Sequence, residues 1–274
     1  MLYNTYIALR KGTKGIAEEA FIRRTDLTSI TIPNSVAVIG DNAFCDCTGL
    51  TSVDIPDSVT SIGQGAFGDC TGLTSVTIPD SVTSIGWWAF CDCTGLTSVT
   101  IHGSAVNIER EAFAYCIGLR DVEILEGVTS IGICAFGNCT ELTSVTIHDG
   151  VTHIKDGAFF DCPRLKSVTI PSSVNNIGNY AFGYTGNYQK IEDFVIAGSK
   201  NSEAQRYANE NGFEFVENHS GEHTYGEPAW TWDGYSAATA SFTCVHNDDI
   251  QDIAATVSSK VTKEPTCTKT GIRT

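Results

Sequence analysis

Basic side chains are scarce in this chain of 274 residues: 17 Lys and Arg stand against 32 Asp and Glu, a net charge of −15. That shortage argues against duplex nucleic acid, whose binding rests on Lys and Arg neutralising phosphates. It argues equally against an anionic lipid surface. Long apolar runs are missing too. No stretch approaches about 18 apolar residues, so nothing here inserts into a membrane as a spanning helix. The opening segment MLYNTYIALRKGTKG lacks an apolar core and a small-residue cleavage site, so it is not a signal peptide. Either the protein is cytosolic, or an export signal has been trimmed away. Catalytic signatures are absent as well: there is no H-E-x-x-H, no G-x-S-x-G and no Walker lysine. His148 and His153 lie five apart on a strand–turn segment and share no helix face. No catalytic residue, cofactor or metal is expected, and the protein reads as a non-enzyme.

What is present is repetition. The dipeptide Ala-Phe ends at Phe21, Phe44, Phe67, Phe90, Phe113, Phe136, Phe159 and Phe182, always 23 residues apart. An Ile precedes each Phe by five residues, from Ile16 to Ile177, and a Leu follows the first seven by six, from Leu27 to Leu165. The unit reads roughly LTSVTIPDSVTSIGxxAFxxCTG. Leu73, Val76 and Ile78 fall on one side of a short strand, which Pro79 ends because proline cannot donate to the ladder. Val82 and Ile85 form a second apolar pair, Gly86 permits a turn, and Ala89-Phe90 pack inward from a short helical or 3₁₀ turn. One unit cannot bury its apolar face alone, but stacked units can. At about 4.8 Å per unit the stack makes a core roughly 35 Å long.

These residues resemble the BspA-like, or Treponema pallidum type, leucine-rich repeat of bacterial surface proteins. The resemblance covers residues 5 to about 216 and slips in spacing or residue type in the units of Ala105, Leu125 and Tyr188. The fold expected is a β-rich α/β solenoid of 23-residue leucine-rich repeats. At its start Ile7 and Leu9 occupy strand positions; at its end Ile191, Phe194 and Ile196 restore the spacing after a three-residue shift. Ser202-x-x-Gln205 reads as a capping box and Gly212 as a helix C-terminus. A C-terminal capping helix of about ten residues and a strand over 213–216 then close the stack. Residues 1–216 form the solenoid, 217–227 a linker, and 228–274 a truncated small β module. That last segment resembles a repeated module of very large surface proteins in gut Firmicutes.

Eleven cysteines are an odd number, so complete intramolecular pairing is excluded. Cys47, Cys70, Cys93, Cys116, Cys139 and Cys162 occupy one repeat position and form a ladder. A ladder points its thiols in parallel, whereas zinc needs four ligands converging on a point, so these read as small buried apolar residues. Cys45 and Cys91, two units apart, are beyond disulfide reach. In the tail, Cys244, His246 and Cys267, with His219 and His223 upstream, could supply a metal site, a disulfide or neither. GQGAFG at 63–68 matches the dinucleotide fingerprint literally, but sister units read GDNAFC and GWWAFC, so it is a repeat turn.

Binding candidates lie on the outward positions. Ser75, Thr77, Ser98 and Thr100 flank the core strand residues and make a hydroxyl-rich sheet, to which Asp54, Asp121 and Glu123 add acid. Trp87 and Trp88 stand where sister units carry Asp41-Asn42, Gln64-Gly65, Arg110-Glu111 and Asp156-Gly157; with Ile133 they form an exposed apolar patch. The resemblance implies an extracellular or cell-surface, adhesin-like protein binding host or neighbouring-cell proteins, with the extracellular-matrix proteins fibronectin and fibrinogen among reported partners. A glycan ligand at Trp87 and Trp88 and a passive spacer displaying another domain are the alternatives. Oligomeric state is not legible.

Overall fold

In the computed structural model, residues 5–102 and 106–218 are described, together with the backbone of strands at 229–233, 237–243, 250–256, 266–268 and 271–273. Two units are distinguished, residues 1–218 and 219–274. Unit 1 is a parallel β-solenoid of about nine turns. In unit 2, Ala229–Asp233, Ala237–Thr243 and Ile250–Thr256 pair antiparallel, as do Thr266–Thr268 and Gly271–Arg273. The side chains of His219, His223, Cys244, His246 and Cys267 lie outside the described residues.

Each 23-residue coil contributes two strands and a turn segment. The longer strands stack into three parallel sheets, the central one comprising Ser75–Ile78, Ser98–Ile101, Asp121–Ile124 and Ser144–Ile147. Identical repeat positions pair, so Val76 faces Val99 and Ile78 faces Ile101. The shorter strands, from Gly15–Ile16 to Asn176–Ile177, form one eight-stranded parallel sheet. Alternation along Ser75–Ile78 leaves Ser75 and Thr77 exposed while Val76 and Ile78 are buried.

The turn segments form a third ladder, by a different geometry. In place of the expected helical or 3₁₀ turn, the first seven carry left-handed residues four apart, such as Trp88 at φ +57 and Asp92 at φ +56, and the eighth has Tyr180 and Gly183. These flip alternate amides toward the next coil. Phe44 N–H donates to the Ala66 carbonyl at 2.7 Å, Phe67 to Ala89 at 2.7 Å, and Phe90 to Ala112 at 2.7 Å. The intervening amides close local turns: Ala89 bonds Gly86 at 3.2 Å and Cys91 bonds Trp88 at 3.1 Å. Asn and Gly tolerate this conformation best, and both occur in the column, at Asn42, Gly65 and Gly157. The slip at Leu125 is accommodated by Gly127 at φ +99, and the one at Tyr188 by a left-handed turn at φ +58. Ala105 lies outside the described residues.

This ladder sets the core. Phe rings from Phe21 to Phe182 stack at the coil spacing, with centroids 5.0 Å apart and planes within 1° for Phe90 on Phe113. The six ladder cysteines are buried, and each thiol donates to the carbonyl of the preceding coil's Phe, as from Cys93 to Phe67 at 3.1 Å. Position-specific cysteine now has a reason. The carbonyls of Phe44 and Phe67 also take the amides of Cys47 and Cys70, and throughout the ladder a thiol satisfies a carbonyl lone pair weakly without burying a strongly polar group. Burial pushes the Cys93 and Cys116 thiols well above their ordinary pKa, and Cys162 up to about 12.

The C-terminal cap closes the open ladders. The helix Glu203–Asn211 has Ser202 as N-cap and ends at Gly212, φ +64. Its Glu203 carboxylate accepts the Ile177 amide of the last short strand at 3.0 Å. The Tyr207 hydroxyl accepts from Phe182 N–H, and donates to the Phe182 carbonyl, at 3.0 Å each. Strand Glu214–Glu217 completes the third longer-strand sheet by pairing with Val195–Gly198. Without these partners the last coil would leave backbone groups unsatisfied.

Two outcomes follow from this packing. Phe90→Ala should cost about 3–5 kcal/mol in denaturant melts, because it removes a ring stacked on both sides and leaves a cavity. In native protein at pH 8 a disulfide-exchange reagent should label none of the six ladder thiols. All six should react once denatured, and rapid native labelling would show that the coils open readily.

Candidate functional site

Two outward surfaces carry the candidate residues, on different segments of the coil. On the central sheet, register places Ser75, Ser98, Asp121 and Ser144 in one row and Thr77, Thr100, Glu123 and Thr146 in a second. All are exposed except Thr100, which is half-buried. Asp54, one coil earlier in the second row's position, is exposed beyond the short strand Ser52–Val53. The rows are flat, short-chained and acidic in the middle.

The second surface is the ridge of the turn ladder. Trp87 and Trp88 leave 48% and 37% of their surface exposed and meet edge to face, with centroids 6.2 Å apart and planes at 79°. Both indoles reach over the next coil. Trp87 Nε1–H donates to Glu109 at 3.2 Å and Trp88 Nε1–H to Glu111 at 2.8 Å, while Arg110 donates to the other Glu111 oxygen at 2.7 Å. Burial pushes the Glu111 pKa up, but the Trp88 indole and the Arg110 guanidinium outweigh it and leave it lowered. The rings are thus held in place rather than swinging in solvent.

Trp87, Trp88, Glu109, Arg110, Gly132, Ile133 and Lys155 line one open groove of about 320 Å³. Sequence reasoning found Trp87, Trp88 and Ile133 but missed Glu109, Arg110 and Lys155. A signal existed. After Ala17 in the first coil, Glu109 and Lys155 stand in a column that is otherwise Gly40, Gly63, Gly86, Gly132 and Gly178. At Gly86 an added Cβ would meet the Gln64 amide nitrogen at 2.7 Å, and at Gly132 the Ile108 carbonyl at 2.5 Å. Long charged side chains at 109 and 155 therefore override a tight packing rule, and both face this groove. Trp88 breaks another rule, because a bulky residue at φ +57 is an outlier that costs energy.

The other candidates fall elsewhere. Cys45, Cys91 and Cys134 are half-buried and unpaired with any sulfur, and burial, the largest cause, pushes the Cys91 thiol up to about 12. Gly65, in the GQGAFG stretch, is one of the two left-handed residues of its turn, at φ +59, with Asp69 at φ +58. Among the described residues no cluster of three or more His, Cys, Asp or Glu is arranged to hold a metal, and no helix is long and apolar enough to cross a membrane.

The profile of the BspA type leucine rich repeat region matches residues 13–140 and 106–208, in six copies. A leucine rich cell surface protein of Faecalibacterium prausnitzii is 31% identical, over 81% of this chain and 53% of that one, with a TM-score of 0.52. A leucine-rich repeat protein of Bacteroides ovatus is 25% identical, over 78% and 66%, with a TM-score of 0.56. The T. pallidum leucine rich repeat protein, 22% identical with a TM-score of 0.51 over 79% and 86%, shares the fold. This chain thus spans about half to two thirds of the length of the first two proteins. No curated protein matches it.

If Trp88 occupies its position against backbone preference, Trp88→Asn, which copies Asn42, should cost no more than about 1 kcal/mol, because relief at φ +57 offsets the lost Glu111 contact. A loss above about 2 kcal/mol in the same melts would make the ring a structural staple.

Proposed function

The chain belongs to the BspA-type leucine-rich-repeat family, and from that premise we propose that it is a non-enzymatic, adhesin-like binding protein of the bacterial cell surface. Its ligands on this reading are proteins of a host or of neighbouring cells, taken up by the solenoid surface. Families of this repeat are binding or structural proteins rather than enzymes, and the cell-surface description of the Faecalibacterium relative supports the location. Residues 217–227 then link the solenoid to a small β module at 228–274.

The observation that carries the reading is the register of the outer rows. Ser75, Ser98, Asp121 and Ser144, beside Thr77, Thr100, Glu123 and Thr146, form a flat face of short side chains that another protein surface can approach closely. The carboxylates of Asp121 and Glu123, with Asp54 nearby, favour a partner patch bearing Lys or Arg. Unlike the core, this face does no packing, so its composition is free to serve recognition.

An array of extracellular-matrix and bacterial surface proteins tests this. At least one protein should bind, and Asp121→Lys with Glu123→Lys should weaken that binding about tenfold or more and flatten its salt dependence. The melting curve should be unchanged, since both side chains are exposed. Silence across the array would remove the protein ligand, and silence on a glycan array as well would leave the solenoid as a spacer.

A further inference from the structure

We propose that the turn ridge holds a second site, for an extended neutral polysaccharide lying along the solenoid axis. The first observation is direction. The groove begins at Trp87 and Trp88 and crosses the next three coils at Glu109-Arg110, Gly132-Ile133 and Lys155. It therefore runs parallel to the stack and suits a linear ligand rather than a compact one. One coil past Lys155, the position of Trp88 recurs as Tyr180. Tyr180 is 44% exposed and meets Tyr188, 62% exposed, at 5.1 Å, and Tyr188 rests on Phe160 at 5.0 Å. Aromatic platforms thus stand at both ends of a span of four coils, roughly 20 Å at strand spacing.

The second observation is spacing. Each coil advances by about the ring-to-ring distance of the Phe stack, 5.0 Å between Phe67 and Phe90. A pyranose unit in an extended chain advances by nearly the same amount. Successive sugars can then meet successive coils, the end ones stacking their C–H faces on aromatic rings and the middle ones placing hydroxyls against Glu109, Arg110 and Lys155.

Charge and hydrogen-bonding capacity choose among ligands. Glu109 and Glu111 balance Arg110 and Lys155 around the groove, so it is near neutral within a chain of net charge −15. An anionic polymer finds no cationic track. A peptide strand finds no ladder to join, because the amides of Phe90, Phe113 and Phe136 are spent on the next coil's carbonyls. The indole N–H groups are likewise taken by Glu109 and Glu111. What remains open is aromatic surface with carboxylate, guanidinium and ammonium groups beside it, the chemistry that binds an uncharged sugar chain.

Affinity electrophoresis of the whole chain in gels containing hydroxyethyl cellulose, mixed-linkage β-glucan, xylan or galactomannan, with heparin as the anionic control, provides the test. At least one neutral polymer should retard the protein and heparin should not. Trp87→Asp with Trp88→Asn, the residues of a sister coil, should weaken retardation about thirtyfold or more, as loss of a paired aromatic anchor does. Tyr180→Asn with Tyr188→Asn should weaken long oligosaccharides and spare disaccharides. Calorimetry on the unmodified chain gives an independent reading, since affinity should climb with oligosaccharide length to about five units. No retardation by any neutral polymer, retardation unaffected by the Trp substitutions, retention by heparin alone, or affinity that is flat with length would each overturn the proposal.

Discussion

Everything in the solenoid depends on one constraint, the coil-to-coil backbone hydrogen bond repeated in three ladders. Two are β-sheets, and the third is the turn ladder in which Phe N–H groups bond Ala carbonyls of the next coil at 2.7–2.8 Å. A single spacing of about 4.8 Å, dictated by these bonds, is imposed on every side chain in the core. Phe rings must stack near-parallel because their backbones are that close, as between Phe113 and Phe136 at 5.2 Å and 4°. Cysteine suits its position for the same reason: the preceding coil brings a carbonyl within reach of a small thiol. The stack needs an end, and Glu203 and Tyr207 supply partners for the last amides of two ladders.

A strict repeat also makes exceptions informative, because each position can be compared with its own sister positions. Most outward positions vary among small or charged residues with no visible consequence. Trp87, Trp88, Glu109, Ile133 and Lys155 are different, since their departures come together in one groove. Two of them replace residues that the backbone prefers. Trp88 takes a left-handed conformation that Asn42, Gly65 and Gly157 adopt most readily, and that Glu19, Glu111, Cys134 and Tyr180 also adopt, and Glu109 takes a glycine position. Left-handed backbone under a bulky side chain costs energy wherever it occurs, and at Trp88 no core packing offsets it, since 37% of its surface is exposed.

The two surfaces differ in kind. The central sheet is regular, hydroxylated and acidic, with its register enforced by the core residues between its outward ones. The ridge is irregular, aromatic and nearly neutral. Separate segments of the coil carry them, so the outward residues of one are free to vary without disturbing the other. This independence follows from quasi-one-dimensional stacking, where each coil contacts only its neighbours.

Much of this was legible from the chain alone. The period of 23 assigns Phe90, Ile85, Leu96 and Cys93 to the interior, and all four are fully buried. Ser202 and Gly212 mark the ends of the closing helix, because capping chemistry is local. The exposure of Trp87 and Trp88 was readable from Asp41-Asn42 and Arg110-Glu111 in sister coils. The left-handed turn ladder was not, because alternate amides flip toward a neighbouring coil, and no propensity encodes a partner 22 residues away. Nor were Glu109, Arg110 and Lys155 as companions of the indoles. Their adjacency is set by the coil spacing together with the left-handed turn at Trp88, which aims side chains across coils rather than along one. Sequence period determined which residues are inside; only stacking decided which outside residues meet, because contact there depends on distances between coils that the order of residues within one coil does not contain.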